Sequence, residues 1–302
     1  AFCAKGHRLL VTNWVCAPIF AERAEDRDRE EGMSTVAADG GAAREMTPMG
    51  ALSWNEETGE FRSGQVPAQE GFEHWLLKFD GVAQEAQREV GEPQGYGRIE
   101  YAYALMAREA GIEMSECRLH HEGGRAHFMT RRFDRGPQGQ KLHMLSLGAM
   151  RHFDFNQPAY AYEEAVETAR LLSLPAASIE QLVRRAFFNV MARNQDDHVK
   201  NIAFLMDRAG SWSLAPAFDI AYAFNPAGTW TSRHQMSLNG KRDDFELDDL
   251  LALGRFADIK TARCKALVEE VSSATRAWGA FAERAGVDQG KAERIARALR
   301  AL

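Results

Sequence analysis

One polar stretch in the middle of the chain constrains the fold more than any other feature. It covers residues 193–201, with the sequence RNQDDHVKN, and an apolar run follows it at once. Within it, Asp196 and Asn201 stand five residues apart. Further on, residues 207–210 form a turn signal between two apolar stretches, and Asp219 follows the second stretch. The order of these features predicts a polar loop, then a β-hairpin, then an acid at the end of the hairpin.

The spacing of these polar residues matches that of a phosphoryl-transfer site. In enzymes of the protein-kinase type, an Asp of the catalytic loop accepts the substrate hydroxyl proton, and an Asn five positions later holds a metal ion. Because Mg²⁺ prefers oxygen ligands and takes only one or two carboxylates, Asn201 and Asp219 are the predicted metal ligands. The general base must be a carboxylate that binds no metal, so Asp196 is the predicted base and Asp197 the main alternative. Taken alone, the Asp-Asp-His sequence is more often a plain polar loop, and it is the ordered set of loop, strand, turn and Ala-Phe-Asp that favours the phosphoryl-transfer site.

The composition indicates an ordinary globular protein. The chain has 302 residues, of which 45% are hydrophobic and 26% charged, enough for one large domain or two lobes. Its net charge of −6 argues against an extended nucleic-acid-binding face. No apolar run approaches the roughly 18 residues that cross a bilayer, and the dispersed cysteines are typical of a reducing cytoplasm. Three histidines lack metal-ligand spacing and are interpreted as surface or satisfied residues: His143, His152 and His234.

A lysine inside an apolar strand is the second unusual feature. Residues 74–79, HWLLKF, predict a strand that contains Lys78. A charge at that place must pair or contact a ligand phosphate to offset its desolvation, unless the position faces outward. Residues 96–110 have the apolar spacing of a helix, with Glu100 near its start. A strand Lys pairs with a helix Glu in kinases, although the preference of acids for helix N-termini explains Glu100 equally well.

The remaining periodic segments divide the chain into a β-rich part and a helical part. Strands are predicted at residues 51–54, 60–62, 117–121 and 126–131. Helices are predicted at residues 162–172, 178–193, 247–254, 259–285 and 289–302, with a cap at Ser178. The predicted fold class is therefore α+β, with a small β-rich N-terminal lobe and a larger, mainly helical C-terminal lobe. The predicted division is an atypical N-terminal segment 1–50, an N-lobe 51–135 and a C-lobe 136–302.

With both lobes in view, the chain resembles the HipA family of bacterial toxin kinases, the serine/threonine kinases of toxin–antitoxin modules. The resemblance extends from about Leu52 to the C-terminus. Four motifs carry it: HWLLKF at 74–79, RRFDR at 131–135, NVMARNQDDHVKN at 189–201 and LAPAFDI at 214–220. The resemblance implies a two-lobed, protein-kinase-like fold that uses ATP and Mg²⁺.

The resemblance also implies a role for each site residue. Lys78 would hold the ATP phosphates, Asp196 would be the catalytic base, and His198 would support the catalytic loop. Asn201 and Asp219 would bind Mg²⁺. The hinge that receives adenine would contain Thr130, Arg131 and Phe133. The implied activity is phosphorylation of a serine or threonine in a cytoplasmic protein linked to translation, restrained by a DNA-binding antitoxin. Neither direct nucleic-acid binding nor membrane association is expected.

The N-terminal end departs from the family pattern. Such proteins carry a small extra subdomain and then a Ser- and Gly-rich loop close to Gly-Gly-Ala-Arg-Pro-Lys. Here Gly40 and Gly41, which could cradle a phosphate or form a plain turn, lead into Ala43-Arg44-Glu45. An acid near the place of the loop lysine would repel phosphate. For auto-phosphorylation, only Ser34 and Thr35 lie nearby.

Two other functions compete with the protein-kinase hypothesis. One is a small-molecule phosphotransferase of the aminoglycoside- or choline-kinase kind, because those enzymes share the Asp-x-His-x-x-Asn pattern. They usually have a His two residues before the Asp, where this chain has Asn194. The other is a nucleotide- or antitoxin-binding module with impaired catalysis, which the altered Gly-rich loop favours. Retention of Asp196, Asn201 and Asp219 together argues against it, because they are costly to keep without a metal.

Overall fold

A computed structural model of the protein describes residues 49–64, 70–81, 94–136, 139–154 and 159–302. The predictions for Gly40 and Gly41 and for Ser34 and Thr35 concern positions outside these described residues. Two antiparallel sheets and a set of helices make up the described part of the chain.

The first sheet has five strands in the order β2-β1-β3-β5-β4. The strands are β1 (Met49–Trp54), β2 (Phe61–Ser63), β3 (Glu73–Lys78), β4 (Cys117–Glu122) and β5 (Arg125–Arg131). Strand β3 lies in the middle and pairs with β1 on one side and β5 on the other. Because side chains alternate along a strand, Trp75 and Leu77 share one face of β3, and Leu76 and Lys78 share the other. Trp75 and Leu77 are fully buried in a small apolar cluster with Leu52.

The first described helix, α1 (Tyr96–Glu109), packs closely against this sheet. Gly97 allows the close approach, because a Cβ at that position would collide with the backbone oxygen of Ala126 in β5. Glu100 follows three residues later and therefore points toward the sheet near the end of β3. Asp80 caps the start of α1 by accepting hydrogen bonds from the backbone N–H groups of Gly95 and Gly97.

The helices after residue 140 enclose the main hydrophobic core. They are α2 (Leu147–Arg151), α3 (Tyr162–Leu171), α4 (Ala176–Met191), α5 (Leu247–Phe256), α6 (Thr261–Arg276), α7 (Trp278–Ala285) and α8 (Gln289–Ala298). The predicted helix 259–285 is in fact two helices, α6 and α7, that meet at Ala277. The break lets Trp278, which is 2% exposed, pack edge-on against Tyr103 of α1. The predicted cap at Ser178 is also wrong, because Pro175 precedes the first helical residue of α4.

A second sheet holds the loop that the sequence singled out. Its strands are β6 (His143–Ser146), β7 (Ala203–Met206) and β8 (Trp212–Leu214), in the order β6-β7-β8. Strands β7 and β8 form the predicted hairpin, whereas β6 and the short helix α2 were not predicted. The loop 193–201 therefore runs between the end of α4 and the start of β7. The predicted α+β architecture, with a β-rich N-terminal part and a mainly helical C-terminal part, is confirmed.

Within the described ranges, no helix combines the length and the apolar character that spanning a bilayer requires.

Candidate active site

A partly buried ion cluster joins the two parts of the fold. Lys78 Nζ lies 2.7 Å from Glu100 Oε1 and 2.5 Å from Asp219 Oδ1. The lysine comes from β3, the glutamate from α1 and the aspartate from the segment after β8. The Lys78 side chain is only 14% exposed, so its position is not an outward-facing one. The expected pairing of the strand lysine with an acid is therefore present, and it involves both Glu100 and Asp219.

The charges of this cluster follow from its burial. Although burial opposes the charged amine, Asp219 and Glu100 raise the pKa of Lys78 above its ordinary value. Burial likewise disfavours a carboxylate, but the Lys78 ammonium outweighs it and lowers the pKa of Asp219. For Glu100, burial dominates and raises the pKa to about 7. At neutral pH the cluster thus contains a charged lysine, an ionised Asp219 and a carboxyl that titrates near neutrality.

The loop 193–201 presents Asp196 close to this cluster. The Asp196 side chain is 31% exposed, which leaves its carboxylate accessible to a substrate. Burial in the cleft raises the pKa of Asp196, and the negative charge of nearby Asp219 adds to the effect. The Asn201 side chain donates from Nδ2 to the backbone oxygen of Asp196, at 2.9 Å. This hydrogen bond closes the loop and fixes the Asn201 amide beside the base candidate. His198 Nε2 lies 3.8 Å from Asp196 Oδ1, beyond hydrogen-bond distance.

Asp197, the alternative base, has a different environment. Its side chain is 1% exposed. It accepts hydrogen bonds from the Tyr162 hydroxyl at 2.6 Å and the backbone N–H of Gln235 at 2.8 Å, and its Oδ2 lies 2.8 Å from His234 Nδ1. Burial alone would raise the pKa of Asp197, but these partners lower it below its ordinary value. Asp197 is therefore an anchor of the loop, fully occupied by donors from the protein.

Two residues of the site other than glycine have left-handed backbone. Asp219 has φ 57° and Arg193, at the start of the loop, has φ 56°. Such conformations are disfavoured for L-residues and persist only where surrounding contacts enforce them. Arg193 is held through Ala298, whose backbone oxygen accepts from its Nε at 2.9 Å. Asp219 is held through the contact with Lys78.

Tyr96 adds a residue that sequence reasoning did not identify. It lies one helical turn before Glu100, and its hydroxyl donates to the backbone oxygen of Tyr222, three residues after Asp219. Burial raises the pKa of Tyr96, as do the negative charges of Glu100, Asp196 and Asp219. The hydroxyl thus lies among the acids of the site and links α1 to the segment that carries Asp219.

The predicted hinge residues fall in different environments. Thr130 is 8% exposed and pairs with Leu76 across β5 and β3. Phe133 packs against Phe218, the residue before Asp219, with ring centroids 5.7 Å apart. Arg131 is 43% exposed and forms a surface ion pair with Glu73 at 2.8 Å. The structure therefore brings Phe133 next to the Asp219 segment but does not bring the Arg131 side chain into the ion cluster.

The oxygen donors at the site fit a magnesium ion. Asn201 uses its Nδ2 for the loop, which leaves its Oδ1 as the ligand atom, and Asp219 is ionised. These are the hard oxygen donors that Mg²⁺ prefers, with the small number of carboxylates that it requires when phosphate oxygens complete the shell. A neutral amide and one carboxylate would leave the ion a net positive charge toward phosphate.

Comparison with known proteins assigns the family. Residues 43–299 match the family model described as the HipA-like C-terminal domain. The chain belongs to this family. No curated protein matches the chain. The matched range contains every helix and strand of the described residues, and the predicted family is confirmed.

Solved structures give the same answer for the fold. HipA from Shewanella oneidensis MR-1, solved as a toxin–antitoxin complex with HipB and operator DNA, superposes with a TM-score of 0.62 at 16% identity. The alignment covers 85% of this chain and 62% of that HipA, so the chain spans less than two thirds of its relative. The Helicobacter pylori proinflammatory kinase CtkA has a TM-score of 0.46 at 10% identity, covering 75% of this chain and 90% of CtkA. The match to HipA confirms the predicted fold class for this HipA-like domain.

Three further residues near the loop of the HipA-like domain had no signal in the sequence. Tyr162 and His234 contact Asp197 from positions 35 and 37 residues away along the chain. Arg300 contacts His234 from near the C-terminus. The sequence interpretation of His234 as a satisfied histidine is consistent with its full burial, but spacing alone did not indicate its partner.

Proposed function

We propose that this chain is an ATP- and Mg²⁺-dependent serine/threonine protein kinase of the HipA toxin type. The observation that carries the proposal is the arrangement at the cleft. A largely buried lysine is held by two acids from different elements, beside a partly exposed aspartate and an asparagine that closes its loop. In kinases, these residue types at these positions bind phosphates, hold metal and accept the substrate proton.

In the proposed mechanism, Asp196 accepts the proton of the attacking hydroxyl. Its carboxylate is partly exposed and its pKa is raised, which suits a general base better than a fully satisfied carboxylate does. The burial of Asp197 and its three protein donors argue against that role for it. Asn201 keeps the Asp196 backbone in place through the 2.9 Å hydrogen bond.

The proposed nucleotide contacts come from the ion cluster. Lys78 holds the phosphates electrostatically, and Glu100 fixes the lysine in the orientation that reaches them. Asn201 and Asp219 would hold Mg²⁺, which would supply charge neutralisation on the phosphates. Because Lys78 contacts Asp219 directly, nucleotide binding requires the lysine to release at least part of that contact. Thr130, Arg131 and Phe133 are proposed at the adenine end of the cleft.

The proposed biological role is that of a cytoplasmic toxin that phosphorylates a serine or threonine in a protein linked to translation. The support is the family match and the likeness to a HipA that was solved with HipB and operator DNA. A DNA-binding antitoxin is therefore the proposed partner, and it would make the DNA contacts itself. A net charge of −6 gives this chain little attraction for nucleic acid.

The test is phosphoryl transfer from radiolabelled Mg–ATP by the purified chain, with protein acceptors and phosphoamino-acid analysis. The wild type should produce phosphoserine or phosphothreonine. Asp219→Ala should weaken both transfer and Mg²⁺-dependent nucleotide binding, because it removes the charged metal ligand. The matched control is Asp258→Asn, since Asp258 forms a surface ion pair with Arg170 and is 87% exposed. Calorimetry that shows unchanged Mg–ATP affinity for Asp219→Ala would remove this residue from the metal site.

The same assay separates the competing functions. Transfer to aminoglycosides or choline without transfer to protein would favour a small-molecule phosphotransferase. The position that holds a His in those enzymes is occupied here by Asn194, which is buried and donates to Asn189 Oδ1 at 2.9 Å. Mg–ATP binding with no transfer to any acceptor would instead favour a binding module without catalysis.

A further inference from the structure

The buried carboxylate of Asp197 depends on a histidine that lies far away in the sequence. His234 is 0% exposed, and its Nδ1 lies 2.8 Å from Asp197 Oδ2. The other donors to Asp197 are the Tyr162 hydroxyl and the backbone N–H of Gln235. Without the histidine, part of a buried negative charge would lose its partner, which is costly for a carboxylate that is 1% exposed.

The opposite side of the imidazole indicates which ring nitrogen donates to Asp197. Arg300 Nη1 lies 3.3 Å from His234 Nε2. A guanidinium can only donate hydrogen bonds, so Nε2 acts as the acceptor and the ring proton is on Nδ1. Asp197 favours the same tautomer, because its carboxylate needs a donor. In this arrangement His234 donates from Nδ1 to Asp197 and accepts at Nε2 from Arg300.

Arg300 is itself held in place by several groups. Its backbone N–H donates to Met191 O at 2.9 Å, at the end of α4. Its guanidinium contacts the Asp243 carboxylate and lies over the Phe245 ring, 5.2 Å from the centroid. The Phe245 ring also meets His234 edge-on, at 5.4 Å. The arginine is 10% exposed and reaches the imidazole from a fixed position.

Asp243 and Ala298 also contact Arg193 at the start of the loop. Asp243 Oδ1 lies 3.5 Å from Arg193 Nη1, and Arg193 Nε donates to the backbone oxygen of Ala298 at 2.9 Å. Arg193 is the loop residue with left-handed backbone, φ 56°. Residues 298–300 thus hold the loop directly at Arg193 and, through His234, at Asp197.

We propose that His234 is a positioning residue for phosphoryl transfer, and that Arg300 fixes the tautomer in which it acts. The inference rests on the proposed function, with Asp196 as the base. Asp196 and Asp197 share one peptide unit, so an anchor that orients Asp197 also orients the Asp196 carboxylate. Because His234 contacts neither Lys78 nor Asp219, replacing it should lower kcat and leave the KM for Mg–ATP unchanged.

Two isosteres of His234 give a matched test. Asparagine places its amide nitrogen near the position of Nδ1 and can donate to Asp197, whereas glutamine places its amide near Nε2. His234→Asn should therefore keep kcat within about threefold, and His234→Gln should lower it at least roughly tenfold, since a misplaced catalytic group of this kind can cost up to about a hundredfold. The control is His121→Asn, at an exposed strand position, which should match the wild type.

Two substitutions of Arg300 test its role. Arg300→Met removes the donor to Nε2 and should lower kcat in the same direction as His234→Gln, with the KM for Mg–ATP unchanged. Adding guanidinium at low millimolar concentration to Arg300→Ala should restore part of the lost rate. In the wild type, the Nδ1 proton of His234 should give a downfield proton resonance typical of a histidine bonded to a carboxylate. That resonance should be absent in His234→Gln.

The outcomes separate this inference from the proposed function. An active wild type with equal kcat for the Asn and Gln variants of His234 overturns the positioning role and leaves the kinase proposal intact. A wild type that transfers no phosphate sinks the kinase proposal. In that case hydrogen exchange decides the inference. Amides of residues 196–201 should lose protection in His234→Gln and keep it in His234→Asn. Equal protection in the two variants overturns it.

Discussion

The loop 193–201 has two sides that differ in how completely their polar groups are satisfied. On the core side, Asp197 accepts from Tyr162, His234 and a backbone N–H, and its side chain is 1% exposed. On the cleft side, Asp196 is 31% exposed, and the nearest His198 nitrogen is 3.8 Å away. The two acids are adjacent in sequence, yet their pKa values shift in opposite directions.

This contrast supports the proposal that Asp196, rather than Asp197, is the base. A carboxylate that is saturated by protein donors is stabilised in its charged form and has little capacity left for a substrate proton. A carboxylate in a partly open cleft beside another acid keeps a raised pKa and a free face. On this proposal the core side of the loop holds it in place, and the cleft side provides the reactive carboxylate. Substitutions on the cleft side should therefore lower activity, and those on the core side should lower stability.

The largest expected effect comes from replacing each acid with asparagine. Asp196→Asn should lower phosphoryl transfer by roughly a thousandfold, because a general base acts in the transition state. Its ATP affinity should stay within a few-fold. Its melting temperature should be unchanged or higher, since the substitution removes a carboxylate whose charged form is disfavoured by burial. Enzyme kinetics, calorimetry and thermal melting on one preparation measure all three.

Asp197→Asn should instead lower the stability of the protein, and its loss of activity should follow from that. Asparagine presents an amide nitrogen to the donors that Asp197 accepts from, and a buried donor left without its acceptor costs about 1–3 kcal/mol. The melting temperature should therefore fall clearly, and activity should fall with it through loss of loop order. If Asp197→Asn were stable and inactive while Asp196→Asn kept near-wild-type turnover, the assignment of the base would be reversed.

The next largest effect concerns Lys78. Lys78→Met keeps the length of the side chain and removes its charge, and it should lower the rate about a hundredfold through loss of electrostatic stabilisation at the phosphates. The fold should be affected much less than the rate, although Glu100 and Asp219 lose their shared cation. The control is Lys260→Met at the N-cap of α6, an exposed position far from the cleft. Equal activity of the two variants would remove Lys78 from the phosphate site.

Sequence reasoning reached the cleft side of the loop because its signals are local. The spacing of Asp196 and Asn201, the hairpin that follows and the charge of Lys78 in an apolar strand are all visible within short windows. The pairing of Lys78 with Glu100 needed only a known kinase pattern laid over a predicted strand and helix. The family assignment followed from the same short motifs.

The core side could not be predicted in this way. Its partners, Tyr162, His234 and Arg300, meet Asp197 or one another only through tertiary packing, and no fixed spacing relates them. The break between α6 and α7 has the same cause, because Trp278 turns inward to contact Tyr103. Local helix periodicity continues across Ala277 and gives no sign of the break.

A third, smaller effect is the pH dependence of stability. The pKa of Asp197 is lowered in the fold, so its contribution is present above the unfolded pKa of about 3.9 and is lost as the pH falls through the folded pKa. The pKa of Asp196 is raised, so its contribution has the opposite sign and is lost as the pH rises through the folded pKa. The difference in melting temperature between the two asparagine variants should therefore shrink in acid. A constant difference from pH 7 to pH 3 would contradict the two shifts.

The smallest expected effect tests whether hydrogen bonding, rather than burial, determines how much a residue of the loop contributes to stability. Gln195 and Asn194 are neighbours and are both buried, at 0% and 3% exposure. Within the described residues, neither amide atom of Gln195 has a hydrogen-bond partner, whereas the Asn194 amide donates to Asn189 at 2.9 Å. Replacing an unpaired buried amide with an apolar group of similar shape removes a desolvation penalty of about 1–3 kcal/mol. Gln195→Met should therefore leave stability unchanged or raise it, and activity should change little. Asn194→Leu should lower stability, because it leaves the Asn189 oxygen unpaired. Chemical denaturation of both variants decides the matter, and an equal loss of stability in the two would mean that burial alone governs this loop.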